Sequence, residues 1–185
     1  MIRYVYSRTL ADKIESAKYI FEANKEFYNI FGRSEDASYV LLSEMISDER
    51  TEEYNSRSIF LSDEMIGAIS FYDASEIYYR QIFSLGYLKG PNVDSEVISN
   101  FSKGVPNIEL NSLYLSRIAV SEIHRGKGYS TPILKYLESH AREANYENIS
   151  LHVHSENQQA ISVYKKYGFV ISDDQSDYFI MLKTL

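Results

Sequence analysis

The chain has 185 residues, enough for one domain with its own hydrophobic core. It contains no cysteine, which excludes disulfides, thiolate metal sites and a cysteine nucleophile. A formal charge of −7, from 26 acidic and 19 basic residues, argues against broad nucleic-acid binding. It suits a cationic substrate and, more plainly, keeps a protein soluble.

No run reaches the roughly 18 apolar residues of a membrane span. The first twenty residues carry no unbroken apolar segment of signal-peptide length. A cytoplasmic protein with no membrane partner is therefore expected. Residues 2–6, IRYVY, alternate weakly and read as a strand. From Thr9 to Phe31, Ile14, Ala17, Phe21, Tyr28 and Phe31 recur at helical spacing, with Asn24 interrupting the stripe and Gly32 as its stop. A second helix is expected over 36–48. Residues 58–61 and 65–72 read as a hairpin joined at SDE. Residues 73–106 are aromatic-rich without clear period: IYYRQIF reads as helical, GPN at 90–92 as a turn and EVISNF as a short helix. The whole stretch is taken as a variable connection, too short to hold a core of its own.

From Ile108 the pattern sharpens. IELNSLYLSRIAV, 108–120, predicts a long strand. Leu113 and Leu115 share one parity while Ile118 and Val120 take the other, which either a bulge or burial of both faces explains. A helix is predicted over 131–144, with Ile133, Leu134, Leu137 and Ala141 as its apolar stripe. A strand follows at 149–153, then a helix from Ser155 to Tyr167 opened by a Ser155–Gln158 capping box and closed by Gly168. Strands at 169–172 and 178–183 end the pattern. The second half reads β-α-β-α-β-β, a mixed α/β arrangement in a single domain of two halves, 1–107 and 108–185.

The stretch HRGKGYSTP, 124–132, places two glycines and two cations at the entrance of the 131–144 helix. A helix start leaves backbone N–H groups without partners and carries the positive end of the dipole. Gly126 and Gly128 allow close backbone approach, Arg125 and Lys127 add charge, and Pro132 fits a first turn. The stretch suits a phosphate or diphosphate. It has neither the spacing of a Walker loop nor the three-glycine dinucleotide fingerprint, so a nucleotide triphosphatase or a nicotinamide enzyme is not expected.

LSRIAVSEIHRGKGYS at 115–130, followed by a helix, a strand and NQQAISVYKKYGF at 157–169, resembles the GNAT family of N-acetyltransferases. Arg125 and Gly128 match that family's R/Q-x-x-G-x-G/A signature, with Ser130 in place of its last small residue. Asn157, Ala160, Tyr164, Gly168 and Phe169 match its second motif. The resemblance implies a mostly antiparallel mixed sheet with splayed central strands flanked by helices. It implies acetyl-CoA as co-substrate, its diphosphate on the loop Arg125, Gly126, Lys127, Gly128, Tyr129 and Ser130, and its pantetheine arm on the backbone of Ile118, Ala119 and Val120. Residues 1–107 would form the acceptor side. Dimers are common in the family, and a homodimer is neither required nor excluded.

The implied reaction is direct transfer of an acetyl group from the thioester to an amine. Tyr164 holds the family's acid position for the leaving thiolate; by spacing alone it packs beside Ala160 and Tyr167. Alternation sends Leu151 and Val153 to the core and His152 to the opposite face, where imidazole chemistry suits a base for the amine; a substrate-contacting histidine fits as well. His154, Glu109 and a water chain are further candidates for the base. His152 and His154 lack a third ligand at metal spacing, so no metal is expected. Asn157 either bonds the coenzyme, caps its helix, or does both. The acidic balance and the many tyrosines point to a small cationic amine such as a polyamine or aminoglycoside. A protein N-terminus or lysine is the rival acceptor, and a catalytically silent acyl-CoA sensor is the alternative class.

Overall fold

The computed structural model describes residues 1–89, 108, 111–175 and 177–185. Its strands are β1 (Ile2–Tyr6), β2 (Arg57–Leu61), β3 (Glu64–Asp73), β4 (Ser112–Val120), β5 (Asn148–His154), β6 (Val170–Asp174) and β7 (Tyr178–Thr184). The helices described are α1 (Leu10–Ala23), α2 (Lys25–Asn29), α3 (Glu35–Met45), α4 (Ile77–Leu88), α5 (Ser130–Glu143) and α6 (Gln158–Lys166). The strands form one mostly antiparallel sheet in the order β1-β2-β3-β4-β5-β7-β6. Two compact units share the chain. The first holds residues 1–71, α4 and Arg117–His124; the second holds Tyr72–Ser75, the strand up to Ser116 and Arg125–Leu185.

In the first unit α1 opens with a capping box. The Thr9 hydroxyl accepts the Asp12 N–H at 3.1 Å, and the Asp12 carboxylate accepts the Thr9 N–H at 3.3 Å. The single helix expected over 9–31 is two helices. At Asn24 the backbone turns to φ −149°, ψ 51°, and α2 starts afresh. Asparagine is a poor interior helix residue because its amide competes for the backbone. The apolar stripe survives the break: Phe21 and Tyr28 stack with ring centroids 5.7 Å apart and join Ala17, Leu42 and Met45 in a buried core. Ser34 caps α3, accepting the Ala37 N–H at 3.3 Å. β2 and β3 pair antiparallel and close through Ser62 and Asp63, with Ser62 at φ 57°. α4 confirms the helical reading of IYYRQIF and carries it to Leu88. The turn read at 90–92 and the short helix read at EVISNF lie outside the described residues.

In the second unit β4 and β5 run parallel, from Ser112 opposite Asn148 to Leu115 opposite Leu151. β4 is described from Ser112; Asn111 just before it sits at φ 68°, a left-handed value that a strand does not accommodate, and residues 109–110 of the expected strand lie outside the described residues. Four successive residues, Ser112 to Leu115, are buried, so both faces of the strand are covered there. α5 joins the two strands and buries Ile133, Leu134, Leu137 and Ala141, the stripe read from the sequence. Each fully buried leucine or isoleucine there contributes about 2 kcal/mol of transfer free energy. β5 continues antiparallel to β7 along its whole length, and β6 pairs with β7.

α6 is shorter than the 155–167 expectation, and the capping box read at Ser155 and Gln158 is not formed. Asn157 is the N-cap: its side-chain oxygen accepts the Ala160 N–H at 3.1 Å. The Gln158 amide instead donates to the Ser155 carbonyl at 2.7 Å. An Asn two positions nearer the helix wins because its short side chain reaches the third N–H beyond it directly. Gly168 ends the helix as expected, at φ 99°.

Candidate active site

Residues 125–128 are exposed and lead straight into α5 at Ser130. Gly126 and Gly128 sit at φ 73° and φ 84°, and no atom lies within 4 Å of where a Cβ would stand on either. The two glycines therefore answer a backbone requirement and leave open space over the main chain. Tyr129, the N-cap, offers no side-chain cap to the helix start. Pro132 is the third helical residue, where its missing N–H falls among the four that have no intrahelical partner. A turn of left-handed glycines, flanked by exposed Arg125 and Lys127 and opening on a helix N-terminus without a side-chain cap, can receive the diphosphate of an acyl carrier. In the first unit His124, buried to 7% exposure, precedes this turn. Its Nδ1 lies 2.7 Å from the Ser121 hydroxyl, and its Nε2 is 3.8 Å from the Glu64 carboxylate.

Tyr164 lies two residues before the end of α6. Helix termination fixes its place. The Gly168 N–H donates to the Lys165 carbonyl and the Phe169 N–H to the Tyr164 carbonyl, both at 3.0 Å. That pair of bonds is a Schellman motif, and its usual apolar contact is present as the Tyr164 and Phe169 rings, 5.6 Å apart at 61°. The Tyr164 hydroxyl has no hydrogen-bond partner among the described residues. Burial alone pushes its pKa well above the ordinary phenol value, so the phenol keeps its proton.

Leu151 and Val153 point into the core and His152 and His154 do not, as alternation predicts. His152 is half-buried and held: its Nδ1 is 2.8 Å from the hydroxyl of Tyr114 on β4. The Tyr114 ring is buried to 2% exposure, edge-on to His152 at 5.7 Å and to Tyr72 at 5.3 Å. The sequence reading did not single out Tyr114. The pairing register explains the contact, since Tyr114 faces Ser150 and the next residue on that face of β5 is His152. His154 is exposed, 5.1 Å from the Tyr178 ring, and its Nδ1 accepts the Glu156 N–H at 3.3 Å. Glu109 lies outside the described residues. Asn157 spends its oxygen on the helix cap, and its amide nitrogen has no partner among the described residues.

The end of β4 belongs to the first unit. Ile118 and Val120 are half-buried and Ala119 is buried. Just before them Arg117 enters a buried polar cluster that sequence reasoning missed. Its guanidinium lies 3.4 Å from the Glu52 carboxylate and donates to the Tyr28 hydroxyl at 3.5 Å. The Tyr28 hydroxyl donates to Glu53 at 3.3 Å, and Ser84 donates to the other Glu53 oxygen at 3.2 Å. Burial pushes the Glu53 carboxyl up to about 7; Glu52 adds to the rise and the Arg117 charge opposes it. Residue 28, the pair 52–53, residue 84 and residue 117 come from four separate segments of the chain, and nothing in their local patterns links them.

A mostly antiparallel open sheet with a parallel pair at β4 and β5, and a glycine turn at the start of the helix joining that pair, define the acyltransferase class of α/β folds. The chain belongs to the acetyltransferase (GNAT) family, whose model matches residues 17–169. Among curated relatives it is 44% identical over 55 residues to the uncharacterized N-acetyltransferase YobR of Bacillus subtilis (strain 168), covering 30% of this chain and 22% of that protein. It is 32% identical over 68 residues to the probable N-acetyltransferase san of Drosophila melanogaster, covering 36% of this chain and 37% of that protein. The matches thus span well under half the length of either relative. Among solved structures, an N-acetyltransferase from Staphylococcus aureus Mu50 has a TM-score of 0.71 at 20% identity, covering 98% of this chain and 99% of that one. The PaiA N-acetyltransferase of Thermoplasma acidophilum, solved in complex with coenzyme A, has a TM-score of 0.59 at 17% identity, covering 100% of this chain and 99% of that one. At these identities the structures establish the fold.

Proposed function

We propose that the protein moves an acetyl group from acetyl-CoA to a primary amine by direct transfer. The observation that carries this reading is the glycine turn itself, left-handed at Gly126 and Gly128 and open above its backbone, in a chain of the GNAT family. Arg125 through Ser130 would hold the diphosphate, with the Asn157 amide as a further donor. The backbone of Ile118, Ala119 and Val120 would hold the pantetheine arm and meet the charge that develops on the thioester oxygen, where a fixed N–H is most effective. A PaiA structure bound to coenzyme A agrees with a coenzyme role for this fold.

His152 takes the amine proton in this reading. With Nδ1–H donating to the Tyr114 oxygen, Nε2 is left as the basic nitrogen. The amine then attacks the thioester carbonyl, the carbon–sulfur bond breaks, and Tyr164 donates its proton to the departing thiolate. A buried phenol that stays protonated is suited to wait for that event. The acceptor is a small cationic amine of polyamine or aminoglycoside type, supported by the net charge of −7.

The test is thiol release from acetyl-CoA across a panel of polyamines, aminoglycosides and peptides with a free N-terminus or a lysine. Turnover with a small polyamine or aminoglycoside supports the full reading. Turnover with peptides alone replaces the acceptor class. Acetyl-CoA binding without turnover on any amine replaces the enzyme with a silent sensor.

A further inference from the structure

Gly67 sits inside β3, where a glycine ordinarily weakens a strand by adding backbone entropy and removing a packing side chain. The reason for it lies on β4. A Cβ built on Gly67 would stand 2.1 Å from the Ala119 carbonyl oxygen, 3.1 Å from its carbon and 3.2 Å from the Val120 Cα. All three are backbone atoms, so no side-chain rotation relieves the contact. The surrounding ladder is irregular as well. Ile59 of β2 faces Gly67, but Phe60 faces Met65, so Ile66 is skipped in that pairing. On the other side the Ser121 N–H donates to the Ile66 carbonyl at 2.8 Å. The Ala119 carbonyl is thus pressed against Gly67 while β4 stays tied to β3 two residues further on.

A trans peptide is planar, and its C=O and N–H point in opposite directions. With the Ala119 carbonyl aimed at Gly67, the Val120 N–H of the same peptide is aimed away from β3. The geometry points to Gly67 as a positioning residue for acetyl-CoA: its missing side chain lets the Ala119–Val120 peptide adopt the orientation that presents the Val120 N–H to the pantetheine arm and thioester. This inference rests on the acetyl-CoA reading above. It adds a residue on β3, outside both coenzyme motifs, that sets the aim of a backbone donor on β4.

The experiment compares the full chain with its Gly67→Ala variant, measuring affinity for acetyl-CoA and for 3′-phosphoadenosine 5′-diphosphate, the nucleotide part without the pantetheine arm. The expected result is a loss of roughly tenfold or more for acetyl-CoA, about what a displaced backbone hydrogen bond removes, with the fragment's affinity unchanged. Equal affinities of both proteins for acetyl-CoA overturn the role of Gly67 alone. An equal loss for both ligands overturns it too, because a general loosening of the fold then explains the effect. Wild-type protein that binds no acetyl-CoA overturns the coenzyme reading itself. A variant that does not fold is replaced by NMR on the wild-type protein. Acetyl-pantetheine should move the Gly67 and Val120 amide signals and leave Gly126 and Gly128 in place, and an unmoved Gly67 signal overturns the inference.

Discussion

Glu53 should make the protein less stable as pH rises through neutrality, and replacing it by glutamine should remove that dependence. Its carboxyl is buried to 1% exposure and shares its pocket with Glu52, Tyr28, Ser84 and a single guanidinium, Arg117. Burial raises its pKa from 4.5 to about 7 in the folded chain. The folded state therefore holds a proton that the unfolded state has released between those two values. Stability is greatest below the unfolded value and falls as pH rises towards the folded one. At pH 8 the loss from this group is on the order of 3 kcal/mol, and at pH 5 most of it is not yet incurred, so a few kcal/mol disappear across the interval. Glu53→Gln keeps the shape and the neutral state, so its stability should hardly change from this source. Urea unfolding of both proteins at pH 5 and pH 8 reads the difference, and groups common to both cancel. Equal slopes, or a variant less stable than the wild type at pH 8, would refute the reasoning. The second result would mean that Arg117 stabilises an ionised Glu53 by more than burial costs.

Replacing Tyr164 by Phe removes the proposed acid while keeping the ring against Phe169; kcat should fall about a hundredfold with KM for acetyl-CoA unchanged, and steady-state kinetics with the best amine of the panel reads the split. Tyr114→Phe should lower kcat/KM several-fold, because His152 loses the partner that holds its ring; an unchanged kcat/KM would detach Tyr114 from the proposed base. Gly168→Ala meets no close atom, its nearest being the Lys183 Nζ at 3.8 Å, so its cost is conformational. A side chain at φ 99° should lower stability by about 1–2 kcal/mol in urea unfolding.

Residues 130–185 were legible because local signals suffice there. α5 shows its buried stripe through spacing alone, and Gly168 marks a helix end that the backbone confirms at positive φ. What escaped required knowing which strands are neighbours. The Tyr114 contact to His152 exists only once β4 and β5 are set in parallel register, and a change of register by one residue would turn Tyr114 to the other face. Gly67 has no local signature either, since its meaning comes from the carbonyl of a residue 52 positions later. The Glu53 cluster draws on four separate segments. In each of these cases the sequence shows the group and hides its partner. The Asn24 break in the first helix is the converse. It was visible as an interruption of the stripe, but only the backbone decides whether an interruption bends a helix or ends it.

The second family motif, residues 157–169, can be understood as one mechanical unit. Asn157 fixes where α6 begins by taking the Ala160 N–H, and Gly168 fixes where it ends by turning left-handed. The spacing between those two stops leaves no freedom in the phase of the helix, so the face on which residue 164 lies is set by the caps. The Phe169 ring then closes against the Tyr164 ring and restricts its rotation. A phenol without a hydrogen-bond partner among the described residues would otherwise be poorly held. Here helix termination takes over the task that a hydrogen bond performs elsewhere, and it leaves the hydroxyl's donor capacity unspent. A second consequence follows for mutation. Phe169→Ala should lower kcat by loosening Tyr164 even though Phe169 is itself buried, and Tyr164→Phe combined with it should be no slower than Tyr164→Phe alone. Additive losses in that double-mutant cycle would separate the two rings and refute the shared role.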